Sequence, residues 1–126
     1  MNYLELIVAR KRHEVSRRKR YASLYACSPV EDALYGKRAM ATLRRDQALH
    51  PKVIAEIKLK SPSAGILRER HAGQVTHIAK AYETAGAAAV SVLCDASGFG
   101  GTPLDVRRVS QVVKLPILFK EFVIDP

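Results

Sequence analysis

The sequence predicts an α/β protein with a parallel sheet, entered through a stretch of helix. Three observations carry this. Short β-rich runs begin near residues 53, 88 and 116. Segments of helical periodicity fill the two gaps between them, so successive strands are joined by crossover helices, which makes the strands parallel and the connections right-handed. The first 50 residues show apolar positions at helical spacing and no comparable strand signal.

Over residues 2–23, Leu4, Ile7, Val8, Lys11 by its stem, and Val15 recur at three- and four-residue steps. That spacing predicts an amphipathic helix with its basic residues in water. A second helix is expected to start after Ser28-Pro29, serine suiting an N-cap and proline the first helical position, and to reach about Met40. Residues 1–50 therefore read as a helical extension and residues 51–126 as the main body.

After Pro51 the pattern changes. Val53-Ile54-Ala55-Glu56-Ile57-Lys58 is a strand, and Lys60-Ser61-Pro62-Ser63-Ala64-Gly65 is loop chemistry. From Gln74, the residues Val75, Ile78, Ala79, Tyr82 and Ala85 share one helical face, with Gly86 as the C-terminal cap. Residues 88–93 form the second strand, and residues 94–102 a glycine-rich loop. Residues 103–113 form a helix with Leu104, Val106, Val109 and Val113 inward, and residues 116–124 the third strand. Units of this size suit a doubly wound sheet or a closed barrel equally. No GxGxxG or GxxxxGK[ST] follows the first strand, which removes the best support for a nucleotide-binding sheet.

At 126 residues and 48% hydrophobic, the chain suits one globular core, and its 26% charged fraction argues against disorder. Cys27 and Cys94 form no CxxC and read as small buried hydrophobes, with a reducing, cytoplasmic setting. No segment approaches the roughly 20 apolar residues of a membrane span. The net charge is +9, concentrated near the amino terminus in Arg10, Lys11, Arg12, Arg17, Arg18, Lys19 and Arg20. Without aromatic platforms or a docking motif this reads as a solvated helix face, and no nucleic-acid partner is expected. His13, His50, His71 and His77 show no metal-ligand spacing, so no metal is expected.

Side chains two apart on a strand face the same way, so Glu56 and Lys58 project together, as do Leu118, Lys120 and Phe122. Charges in parallel strands cost desolvation unless they are paired or solvated in a site. They lie towards the strands' carboxyl ends, where α/β proteins place active sites. A structural ion pair, or lysines in water at strand ends, is the competing reading. Two lysines would bind an anionic substrate, and one could act as an acid. The Ser61-Pro62-Ser63 loop offers hydroxyls and amides to a carboxylate or phosphate, though a simple serine-proline turn is equally natural. Phe99, among Gly98, Gly100 and Gly101, could cover a ring or merely anchor its loop.

Three ordered blocks resemble indole-3-glycerol phosphate synthases. The first is residues 53–58 followed by Lys60-Ser61-Pro62-Ser63. The second runs from Ile78-Ala79-Lys80-Ala81-Tyr82-Glu83 through Gly86-Ala87 and Ser91-Val92-Leu93 to Phe99-Gly100-Gly101. The third is Pro116-Ile117-Leu118-Phe119-Lys120-Glu121-Phe122-Val123-Ile124-Asp125-Pro126. The basic N-terminal helix is similar to that family's helical extension.

The resemblance implies a partial TIM (β/α)8 barrel, about its first three strands, preceded by helices. It implies a cofactor-free lyase of tryptophan biosynthesis that closes the indole ring of a carboxyphenylamino-deoxyribulose phosphate with loss of carbon dioxide and water. By position, Lys120 resembles the general acid, and Glu56 and Lys58 the pair that positions and charge-stabilises the substrate. Ser61, Phe99 and Phe122 resemble substrate-contacting positions, with Phe99 on the anthranilate side. Cys94 stands where the family often has threonine, and residues 68–73 lack its acidic-aromatic-proline stretch. Family members continue through five more strands bearing a second catalytic glutamate, an asparagine and the phosphate-binding loops. The expected partners are therefore the small phosphorylated substrate and a complementary carboxyl-terminal half-barrel, or a second copy pairing edge to edge; a truncated gene product is a further reading. The competing function is a non-catalytic half-barrel that binds a protein or RNA through its basic helices.

Overall fold

The computed structural model describes residues 2–21, 33–44 and 50–125. The chain divides into two compact units, Met1–Glu31 with Phe122–Pro126, and Asp32–Glu121. The first is built on helix α1 (Tyr3–Arg20), which starts in a reciprocal capping box: Glu5 N–H donates to Asn2 Oδ1 at 2.9 Å, and Asn2 N–H to Glu5 Oε2 at 2.9 Å. Arg17, Arg18, Lys19 and Arg20 fill its last turn, the favourable end of the helix dipole for cations. Ile7 and Lys11 are buried, the lysine stem packing as expected while its ammonium reaches Glu14 at 2.8 Å. Leu4, expected on the buried face, is instead 58% exposed. Lys19 pairs with Asp125 at 2.7 Å.

The second unit begins with helix α2 (Ala33–Leu43), which runs three residues past the expected end. The proposed start at Ser28-Pro29 lies outside the described residues, as does Cys27. The sheet follows: strands β1 (Ile54–Ile57), β4 (Ala89–Leu93) and β5 (Ile117–Lys120) pair in that order, all parallel. Between β1 and helix α3 (Gln74–Thr84) lies a two-stranded hairpin of β2 (Lys60–Ser61) and β3 (Gly65–Ile66), where the sequence suggests only a loop. The glycine-rich stretch after β4 contains a one-turn helix, α4 (Ala96–Phe99), before helix α5 (Pro103–Ser110).

Helices α3 and α5 contribute to one hydrophobic core. Ile57, Val90 and Val92 meet Val75, Ile78, Ala79, Val109 and Val113, with Tyr82, Val106 and Ile117 packed at its margin. Both crossover helices thus cover the same face of the sheet, the one onto which residues 57, 90, 92 and 117 project. Burying each of these valines contributes about 1.5–3 kcal/mol. Helix α3 ends in a Schellman motif, Gly86 N–H bonding Glu83 O and Ala87 N–H bonding Tyr82 O, each at 3.0 Å, with Gly86 at φ +85°.

Two expected positions fall differently. Leu104, on the predicted inner face of α5, is 57% exposed, and Asp105 is buried in its place at 1%. The third strand stops at Lys120, so residues 121–124 lie beyond the ladder. Among the described residues no helix is long and apolar enough to cross a membrane.

Candidate active site

The strand register builds the site. Glu56 is directly opposite Ser91, and Ser91 opposite Leu118, so these side chains share the face turned away from α3 and α5. Lys120 lies two residues beyond Leu118 on that same face, and Lys58 two beyond Glu56. Alternation within the strands and register between them therefore converge four polar groups. The Lys120 ammonium donates to Glu56 Oε2 at 2.6 Å, and Ser91 Oγ donates to the same oxygen at 3.3 Å. Lys58 Nζ stands 3.7 Å from Oε1. The Tyr82 hydroxyl reaches back from α3 to the Glu56 carbonyl at 3.0 Å, tying the site's strand to the core layer.

The cluster sits on an open surface. The side chains of Lys120, Lys58 and Glu56 are 52%, 37% and 30% exposed, and Ile54 and Leu118 on the same face are half exposed. At such exposure an ion pair contributes little to stability. Its consequence is placement: one carboxylate holds two ammonium groups beside half-exposed apolar side chains.

Burial pushes the Glu56 carboxyl upward. The hydrogen bond from Lys120, the charges of Lys120 and Lys58, and the Ser91 hydroxyl together outweigh it and hold the group below the ordinary carboxylate value. A carboxyl depressed on folding contributes stability above its unfolded pKa, near 4.3, and loses it as the pH falls through the folded value. The Glu56–Lys120 contact should therefore survive at pH values where free glutamates begin to protonate, and open below them. Lys120→Met removes two of the lowering causes. We expect the Glu56 titration, followed by carboxyl carbon chemical shift, to move to higher pH in that variant; an unmoved midpoint would show the pairing to be absent in solution.

Ser61, at the end of β2, is buried, with its hydroxyl 2.9 Å from that of Ser63 and accepting the Ser63 N–H at 3.3 Å. Gly65, at φ +71°, closes this turn. Phe99 ends α4 half-buried. The two loops touch: Lys60 Nζ donates to Ser97 O at 3.0 Å, and Gly100 lies against the Lys60 side chain. Phe122, grouped by the sequence with Leu118 and Lys120, follows the end of β5 and falls in the first compact unit.

Four further residues carry polar contacts around these loops and strands that single-sequence reasoning does not single out. Ser91 bonds the Glu56 carboxylate, a partnership fixed by register between strands 35 residues apart. Asp95 caps α4 by accepting Gly98 N–H at 2.6 Å. Asp105 accepts Thr102 N–H at 3.1 Å within a second capping box, and Arg70 reaches Asp105 from the other loop. The Thr-x-x-Asp pattern ahead of an apolar run is the available signal for Asp105; nothing local marks Arg70.

In comparison with known protein families, the family model described as indole-3-glycerol phosphate synthase matches residues 4–126.

Proposed function

The chain belongs to the indole-3-glycerol phosphate synthase family, and from that premise we propose that its open sheet face is the first part of a ring-closing site in a (β/α)8 barrel. Membership supports an enzyme of lyase type associated with tryptophan biosynthesis. The finer reading assigns residues 1–50 to a helical extension and 51–126 to the first β/α units. It takes carboxyphenylamino-deoxyribulose phosphate as the substrate and the cytoplasm as the setting.

In this reading Lys120 protonates the ribulose carbonyl oxygen as the substrate's aromatic ring carbon attacks the carbonyl carbon. The new carbon–carbon bond closes the ring, and carbon dioxide leaves from the carboxylated ring carbon, its bonding pair restoring the aromatic ring. The former carbonyl oxygen takes up a second proton and departs as water while the adjacent CH2 gives up a proton to form the indole double bond. Negative charge grows on oxygen in the first step, and an ammonium aimed at it lowers that barrier by electrostatics and proton donation. Glu56 holds Lys120 in place. Lys58 adds positive charge for the anionic substrate, while Ser61, Phe99 and Phe122 contact it, Phe99 beside the anthranilate ring.

The observation that carries this is the 2.6 Å contact between Lys120 and Glu56, two strands apart in the sheet and on one face with Lys58. The barrel is supported by sequential parallel strand order with both crossover helices on one side, the winding that bends a sheet towards closure. Among the described residues the outer edges of β1 and β5 have no strand partner, which exposes unpaired backbone groups and leaves the polar face uncovered.

We therefore expect turnover to need further strands, supplied in the same or a second polypeptide. The test is substrate conversion followed by indole fluorescence, with this chain alone and with a chain carrying the remaining strands of a family member. Product on mixing, with little from either part alone, is the expected result. No product from the mixture would overturn the reading.

A further inference from the structure

Phe99 rides on a loop that makes its own hydrogen bonds and yet is fastened from outside at three points. Within the loop, Phe99 N–H and Gly101 N–H both donate to Asp95 O at 3.2 Å, and Gly100 N–H donates to Ala96 O at 3.0 Å. From outside, Lys60 Nζ donates to Ser97 O at 3.0 Å. Arg70 supplies the other two fastenings: Nη1 donates to Gly100 O at 2.9 Å, and Nη2 donates to Asp105 Oδ1 at 2.5 Å. The acceptors at 97, 100 and 105 bracket Phe99 in sequence, and both donor residues belong to the segment between β1 and α3.

Arg70 is itself anchored. Leu67 and Arg68 N–H both bond Leu59 O, at 2.9 and 3.0 Å, which fixes the chain leading to it. Its carboxylate partner is 1% exposed and also receives Arg108 Nη1 at 3.0 Å and the Thr102 N–H at 3.1 Å. A planar fork that bonds a backbone carbonyl with one nitrogen and a buried carboxylate with the next sets direction as well as distance, which a lysine ammonium cannot reproduce.

We propose that Arg70 is a positioning residue: its guanidinium locks the β4–α5 loop to the β1–α3 segment and so fixes the place of Phe99. The bearing on substrate rests on the proposed function, in which Phe99 borders the anthranilate ring.

Backbone amide exchange over residues 98–101 of the full chain tests the lock without reference to activity, and a fluorescence titration with anthranilate tests its bearing on the ring site. In Arg70→Gln, exchange at 98–101 should quicken about tenfold while residues 90–93 in β4 keep their protection. Arg70→Lys should fail to restore it, and Arg107→Gln, an exposed change on α5, should leave it unaltered. Anthranilate affinity should fall about fivefold in Arg70→Gln, and by a similar factor in Phe99→Ala. Unchanged exchange at 98–101, or an equal rise in β4, would overturn the proposal. Anthranilate binding indifferent to Phe99→Ala, with exchange still responding to Arg70→Gln, would instead sink the reading of Phe99 and leave the lock standing.

Discussion

Gly101→Ala should abolish the native β4–α5 loop and cost more than about 3 kcal/mol of stability, enough to unfold a marginal domain. An ideal Cβ at this position would overlap Leu93 O outright and lie 2.7 Å from Leu93 C and 3.2 Å from Cys94 Cα. The obstacle is backbone, so no rotamer relieves it. That backbone is the end of the central strand, where Leu93 pairs with Lys120 and Cys94 N–H bonds Lys120 O at 3.0 Å. Either the loop withdraws, losing the bonds from 99–101 to 95–96, or β4 shifts and takes Lys120 with it. Gly36→Ala is the matched control. Gly36 lies within α2 with nothing inside 4 Å of an added methyl group, and the change should stabilise by about 0.5–1 kcal/mol through helix propensity. Urea unfolding of the two variants should move in opposite directions; a Gly101→Ala protein melting like the parent would show that the loop does not pack on β4.

That contrast marks what one sequence can disclose. Strand–helix alternation, the inner residues of α3, and the shared face of Glu56 and Lys58 all follow from periods of two and 3.6, which are local properties. Lys120 is legible for the same reason. Its partner is not, because the Glu56–Lys120 pair depends on the parallel order β1-β4-β5 and on register, and these join residues 64 apart. Phe122 shows the limit of extrapolating a period: alternation puts it beside Lys120 only while the strand lasts, and β5 ends at Lys120. Leu104 and Asp105 exchange their expected roles because capping and two guanidinium partners make burial of a carboxylate tolerable, and hydrophobic periodicity is blind to such pairing. The close approach at Gly101 lies in a stretch that reads only as glycine-rich.

Lys120→Ala should lower turnover of the assembled barrel by about 10²–10⁴-fold, the usual worth of a positioned general acid, with a far smaller effect on unfolding. The asymmetry follows from exposure: a side chain 52% exposed holds up little of the core, yet its ammonium is placed at 2.6 Å by a carboxylate on a strand two positions away. Glu56→Gln should also lose activity, because the amide keeps the shape but gives up the charge that orders Lys120 and Lys58. If Glu56 works through Lys120, the double variant should be little slower than Lys120→Ala alone, since a holder has nothing to add once the held group is gone. Independent roles in substrate contact would instead make the losses multiply. A Lys120→Ala protein that turned over like the parent would remove the acid from this strand altogether. A double variant much slower than either single one would keep Lys120 as the acid and move Glu56 from positioning it to touching the substrate directly.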